Sequence, residues 1–263
     1  MSSFASRLLV TLIVAPLVLG IVWLGGWWLV ALGIVAALTA SHEFWLMVRP
    51  LRPLTLAGYG GIVASLVGAK LGGVEWALGG FLAVFALSFL FQGISRTRAP
   101  ATVAVGSTVL GAGWIGLPLA SVILLRDLHH GRLAVFALLL AVWAADALAY
   151  VAGRLIGRHK LSPVLSPGKT WEGFVFGVAA AIFVTYIATY KQHFLSGWQA
   201  VVLGSVIALA DAAGDLFESM LKRDMQVKDS GRLLAGHGGM LDRLDALLFA
   251  APAAYFTVVA LVG

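Results

Sequence analysis

The chain has 263 residues, 60% of them hydrophobic and only 11% charged, with a mean hydropathy of +0.96. That leaves too little polar surface for a water-soluble fold of this size, so the fitting solvent is a bilayer. The absence of cysteine excludes disulfides, zinc–thiolate centres and thiol chemistry, and the net charge of +6 matters more for its placement than its size.

A helix needs about 20 apolar residues to cross the hydrocarbon core. Nine stretches meet that measure, at 8–25, 27–48, 54–72, 74–92, 101–125, 132–153, 172–190, 197–221 and 242–262. The first imitates a signal peptide, with Arg7 ahead of an apolar run, but no polar segment follows and it reads as a retained span. The predicted class is therefore all-α, a polytopic membrane bundle of about nine helices.

Lysine and arginine give the orientation. The N-terminus and the loops after spans 2, 4, 6 and 8 hold 14 of the 18, and the alternate loops hold 4. This places the N-terminus in the cytoplasm and both large polar loops, 154–171 and 222–241, on the same side. A cysteine at Ser230 is then expected to be reachable from the cytoplasm. Residues 1–145 hold three acidic side chains and the remainder nine. The organisation expected is 1–145 for packing and lipid contact, and 146–263 for chemistry facing the cytoplasm.

In span 2, His42 and Glu43 interrupt the apolar run. They either line a cavity or pair with each other. In span 6, Asp146 shares a helix face with Tyr150. The loop LSPVLSPGKTWEG, 161–173, offers Ser166, Lys169 and Thr170 as phosphate donors. It is not a P-loop, because Pro163 stands where the first glycine is required. The glycine pairs Gly153/Gly157 and Gly173/Gly177 have the spacing of close helix packing.

Span 8 ends with Asp211, Asp215 and Glu218 at i, i+4 and i+7, three carboxylates on one face. Like charges so placed repel unless a cation sits among them. Either lysine or arginine from neighbouring helices supplies it, or a divalent metal does. Hard oxygen donors without thiols suit Mg²⁺. Asp242 and Asp245 open span 9 with a second acidic face. Beside them stand Lys222, Arg223, Lys228, Arg232 and Arg243, a mixture that suits a polyphosphate held with a metal. The Gly-His-Gly-Gly run, 236–239, allows close backbone approach to a ligand.

The run SMLKRDMQVKDSGRLLAGHGGMLDRLD, Ser219 to Asp245, closely resembles the signature of the phosphatidate cytidylyltransferases. The segment from Asp146 to Gly173 also looks like this family. One departure is Ala235, where the pattern has proline. The resemblance implies conversion of phosphatidate and CTP to CDP-diacylglycerol and pyrophosphate with Mg²⁺, with or without a second cation. Carried over by position, it implies Asp215 and Asp242 as principal metal carboxylates, with Asp211, Asp146 and Asp245 behind them. Lys222 and Arg223 join Asp215 and Asp242 as catalytic residues. Ser166, Lys169, Thr170, Lys228, Asp229, His237, Gly238, Gly239 and Arg243 would bind substrate. The implied partners are CTP, phosphatidate, the bilayer and a second copy in a homodimer, with no nucleic acid; the implied location is the inner membrane. Two other readings are a proton- or cation-coupled transporter using Asp146, Asp211 and Asp215, and a polyprenol kinase-like enzyme. The pattern of CDP-alcohol phosphotransferases is absent.

Overall fold

The structure, a computed structural model, describes residues 3–94, 100–190, 192, 194–231 and 239–262, with side chains from Val14 onward. Nine α-helices occur among the described residues. They are α1 (Ser3–Leu24), α2 (Gly26–Met47), α3 (Thr55–Ile94), α4 (Ala101–Gly111), α5 (Leu117–Asp127), α6 (Gly131–Ile156), α7 (Trp171–Thr189), α8 (Gly197–Asp224) and α9 (Leu241–Val262). A π-helical turn, Ala112–Gly116, joins α4 to α5 without interrupting the rod. The chain is an all-α, multi-pass membrane protein.

Seven helical stretches among the described residues are long and apolar enough to cross a bilayer: α2, α3, Ala101–Asp127, α6, α7, α8 and α9. The sequence suggests nine spans. The difference lies in α1, whose earlier side chains are outside the described residues, and in α3, which joins the expected third and fourth spans. At 40 residues, α3 is broken by Gly72 and by Gly73, whose φ of 72° is accessible without strain only to glycine.

The chain forms two compact units, Met1–Asp127 with Met225–Leu244, and Leu128–Asp224 with Asp245–Gly263. In the first, the two arms of α3 fold back on each other. Glycine makes this possible: a Cβ on Gly80 would enter the Ala64–Ser65 peptide, and one on Gly68 the Trp76 backbone. The Ser65 hydroxyl donates to the Ala77 carbonyl at 2.8 Å across this crossing. α2 packs through Phe44, edge-on to Trp114, and Trp45, edge-on to Tyr59. Arg126 donates to the carbonyls of Val22 and Trp23 at 2.9 and 3.1 Å, so a cation closes the negative end of α1.

In the second unit, α6, α7 and α8 pack together. The expected packing role of the glycine pairs is seen at α6–α7, where a Cβ on Gly173 would lie 2.6 Å from the Ala149 carbonyl. Gly204 brings α8 against Ile182 of α7, and Gly214 brings it against the Asp245–Ala246 backbone. One departure from pure helix is a small antiparallel hairpin between α6 and α7. Its strands are β1 (Lys160–Ser162) and β2 (Ser166–Thr170), paired Lys160 to Thr170 and Ser162 to Ser166.

Gly80→Ala is expected to destabilise the protein by about 1–3 kcal/mol through overpacking. Gly79→Ala, whose Cβ would meet nothing within 4 Å, is the matched control. Thermal unfolding in detergent distinguishes the two, and equal midpoints would contradict the α3 crossing.

Candidate active site

The hairpin is fixed at its base by charge and capping. The Glu172 carboxylate accepts the backbone N–H groups of Arg158 and His159 at 3.1 and 3.3 Å, and contacts His159 Nδ1 at 2.7 Å. The Thr170 hydroxyl accepts the Gly173 N–H at 3.2 Å and caps α7. The residues between these anchors are thereby held beside α6 and α8, within the second unit.

A cavity of about 580 Å³ lies there. α6 contributes Asp146, Tyr150 and Arg154, β2 contributes Ser166, Lys169 and Thr170, and α8 contributes Asp211 and Asp215. Lys169 Nζ forms an ion pair with Asp215 Oδ2. Arg154 donates to the Tyr150 hydroxyl at 3.1 Å. Asp211 is buried, and its Oδ1 has no hydrogen-bond partner among the described residues. Asp146 and Asp215 act on it repulsively and Lys169 attractively.

Further along α8 toward its C-terminus, the second acidic set is paired differently. Glu218, 1% exposed, accepts from Lys222 at 2.8 Å. Asp245 of α9 is buried beside Asp215 and Glu218, and accepts the Ala246 N–H at 2.9 Å. The repulsion expected from the i, i+4, i+7 pattern is therefore met by two lysines, Lys169 from the hairpin and Lys222 from the same helix.

In the first unit, Asp242 accepts the N–H of Gly239 at 2.8 Å and that of Ser230 at 3.3 Å. It thus ties both described ends of the glycine-rich loop to α9. Glu43 of α2 sits beneath: its Oε2 accepts the Leu241 N–H at 2.9 Å, across 198 positions of sequence. Ser230 is buried, so the cysteine probe suited to this loop belongs elsewhere. Lys228, Asp229 and Arg243 are exposed, and the Arg223 Nε–H donates to the Leu165 carbonyl at 3.4 Å. His237 and Gly238 lie outside the described residues.

The structure therefore brings together Asp146, Ser166, Lys169, Thr170, Asp211 and Asp215 around one cavity. Sequence reasoning missed Arg154, which lines it, and passed over Glu43. It also placed His42 and Glu43 in the same question. His42 lines a separate cavity with Tyr59, to which it hydrogen-bonds at 2.8 Å, while Glu43 turns to the loop. The only signal for Glu43 was the carboxylate itself, inside an apolar span.

Among the described residues, no three acidic or histidine side chains are grouped so as to hold a metal. Lys169 occupies the Asp215 oxygen that such a group would use. The donor type nevertheless fits a hard divalent cation: oxygen ligands only, excess negative charge, and the buried, unpartnered Asp211 Oδ1 in the same cavity.

A model described as the cytidylyltransferase family matches residues 5–261. The chain belongs to that family and is a nucleotidyltransferase of the membrane. Among similar proteins are the phosphatidate cytidylyltransferases of Mycobacterium bovis and Brucella abortus. The first is 34% identical over 244 residues, covering 87% of this chain and 79% of that protein. The second is 32% identical over 260 residues, covering 97% and 93%. A third, from Staphylococcus haemolyticus, is 45% identical over 114 residues, covering 43% of this chain and 44% of that protein.

A double-mutant cycle of Lys169→Met and Asp215→Asn tests the central ion pair. Thermal unfolding in detergent is expected to show a coupling of about 1 kcal/mol or more, since each partner left alone is an uncompensated charge. Strict additivity would show that the pair contributes nothing.

Proposed function

We propose that the chain transfers a cytidylyl group from CTP to phosphatidate, giving CDP-diacylglycerol and pyrophosphate. The observation that carries this is the Lys169–Asp215 pair beside Asp146 and Asp211, in a cavity among membrane-crossing helices. The names of the similar proteins supply the lipid.

The chemistry asks little of a protein nucleophile. A phosphatidate oxygen attacks the α-phosphorus of CTP, the bond from that phosphorus to the bridging oxygen breaks, and pyrophosphate leaves with the electron pair. What the protein must supply is orientation and charge stabilisation. Lys169 is the cation proposed to meet the phosphates once released from Asp215, with Ser166 and Thr170 as further donors. Lys222, Arg223, Lys228 and Arg243 are the remaining basic groups assigned to phosphate, with Asp229, His237, Gly238 and Gly239 assigned to the nucleotide. Asp215, with Asp211 and Asp146, is the carboxylate set proposed for Mg²⁺, and Asp242 and Asp245 are the residues the signature adds. Bound there, Mg²⁺ would offset the charge that develops on the leaving pyrophosphate.

The division of labour proposed is 1–145 for packing and lipid contact and 146–263 for the reaction. The site is proposed to face the cytoplasm from the inner membrane, where CTP is available, in a homodimer. Family membership leaves the transporter reading without an observation in its favour.

Purified protein given labelled CTP, phosphatidate and Mg²⁺ is expected to form CDP-diacylglycerol. No product from well-folded protein would remove the proposal. Asp215→Asn and Asp242→Asn are each expected to lower turnover by about 100-fold or more, since each removes a charge assigned to the transition state. Near-normal turnover in both would remove the metal assignment. In this cysteine-free chain, Asp224→Cys at the exposed end of α8 is expected to be labelled only from the cytoplasmic side. Labelling only from outside would invert the topology.

A further inference from the structure

We infer that Glu43 is a positioning residue for the glycine-rich loop, fixing both of its described ends and the first turn of α9. The inference rests on the reaction proposed above. Glu43 is 1% exposed, within a span otherwise rich in apolar and aromatic side chains. Its Oε2 takes the Leu241 N–H, one of the α9 donors that has no partner within the helix. Its other oxygen, Oε1, is buried without a hydrogen-bond partner among the described residues.

The same carboxylate explains two glycines of the signature. A Cβ on Gly231 would stand 2.5 Å from Glu43 Cδ and 2.8 Å from Cγ. A Cβ on Gly239 would stand 2.9 Å from Glu43 Cδ and collide with the Ser230 hydroxyl. Both loop ends therefore close directly on this one side chain. Asp242 binds the neighbouring backbone, at Ser230 and Gly239. Two carboxylates, one from α2 and one from α9, clamp the same two loop ends. Glu43 thus acts on the reaction through Asp242 and the described loop ends, Ser230–Gly231 and Gly239, and is assigned no contact with substrate.

A role in packing alone does not account for a carboxylate here. Burying one is costly, and an apolar residue of similar volume would fill the space at lower desolvation cost. The carboxylate oxygen has a use in accepting the Leu241 N–H, while the side chain spaces Gly231 and Gly239.

The test uses the full chain in detergent, with CTP, phosphatidate and Mg²⁺. Glu43→Ala is expected to lower kcat by about 30-fold while leaving KM for phosphatidate within about 2-fold, the pattern of lost positioning. Glu43→Gln keeps an oxygen for the Leu241 N–H and is expected to recover kcat to within about 5-fold of the unsubstituted protein. Gly231→Ala is expected to cost about 10-fold or more alone, and under about 3-fold in the Glu43→Ala background, where the colliding side chain is gone. Unchanged kcat in Glu43→Ala, or costs that simply multiply, would overturn the inference. If Glu43→Ala does not fold, Glu43→Asp replaces it in the cycle. The cycle is also read by thermal unfolding, which needs no activity, and additivity there overturns the contact. Inactive unsubstituted protein counts against the reaction, whereas active protein indifferent to Glu43 counts against this inference alone.

Discussion

A carboxylate on a membrane-crossing helix must be given a cation or hydrogen-bond donors, and much of the second unit serves that need. An ionised aspartate near the bilayer centre costs roughly 2.5–3.5 kcal/mol on insertion scales. α8 carries Asp211, Asp215 and Glu218 in less than two turns of helix, so it cannot sit in lipid unaided. Lys222 answers Glu218 from the same helix. Lys169 answers Asp215 from the hairpin, which explains why a small β element interrupts an all-α fold at that point. The hairpin projects one lysine between α6 and α8, and its base is secured by Glu172 and Thr170 so that it stays there. An ion pair of this kind contributes modestly to stability, because desolvation offsets attraction. Its value is that it keeps a charged cavity assembled, with a lysine and carboxylates together on its wall.

The second constraint is distance between backbones. Apolar side chains give helices no preference for each other over lipid, so association depends on close packing. Gly173 against Ala149, Gly204 against Ile182 and Gly214 against Asp245 let the helices of the second unit approach to backbone contact. The Gly214 contact lies beside two of these carboxylates. It sits one residue from Asp215 and touches the Asp245 carbonyl, so the two carboxylates are held in register by a residue with no side chain.

The fold was legible because a bilayer simplifies the reading. Length and apolarity alone located α2, α6, α7, α8 and α9 to within a few residues. The α3 region was legible as two spans and is one broken helix, because two adjacent glycines turn the chain without a polar loop to announce it. The cavity carboxylates were legible because charge inside an apolar helix is conspicuous, and Lys169 because it stands in a polar loop. Their partners were not. Helical spacing puts Asp211, Asp215 and Glu218 on one face but does not say that Lys169 reaches Asp215 and Lys222 reaches Glu218. That depends on where a hairpin folds, which spacing does not encode. Ser230 failed for a related reason. A serine in a polar loop reads as exposed, yet this loop is pulled inward by Asp242 and Glu43 until its hydroxyl is buried.

Glu43 shows most clearly what a linear reading loses. It lies in the half of the chain that composition assigns to packing, and its nearest titratable neighbour in sequence, His42, faces a different cavity with Tyr59. Nothing about position 43 points to residues 231–241 until the first unit is seen to include them. Once it does, the signature glycines acquire a steric reason that the signature itself does not contain. At Gly231 and Gly239 a side chain is excluded by what lies against them. A motif defined by its own residues is then only half of a contact, and the other half is a single carboxylate in an otherwise hydrophobic helix. The helices of the first unit are therefore joined to the signature run through Glu43, which meets Leu241, Gly231 and Gly239 beside Asp242.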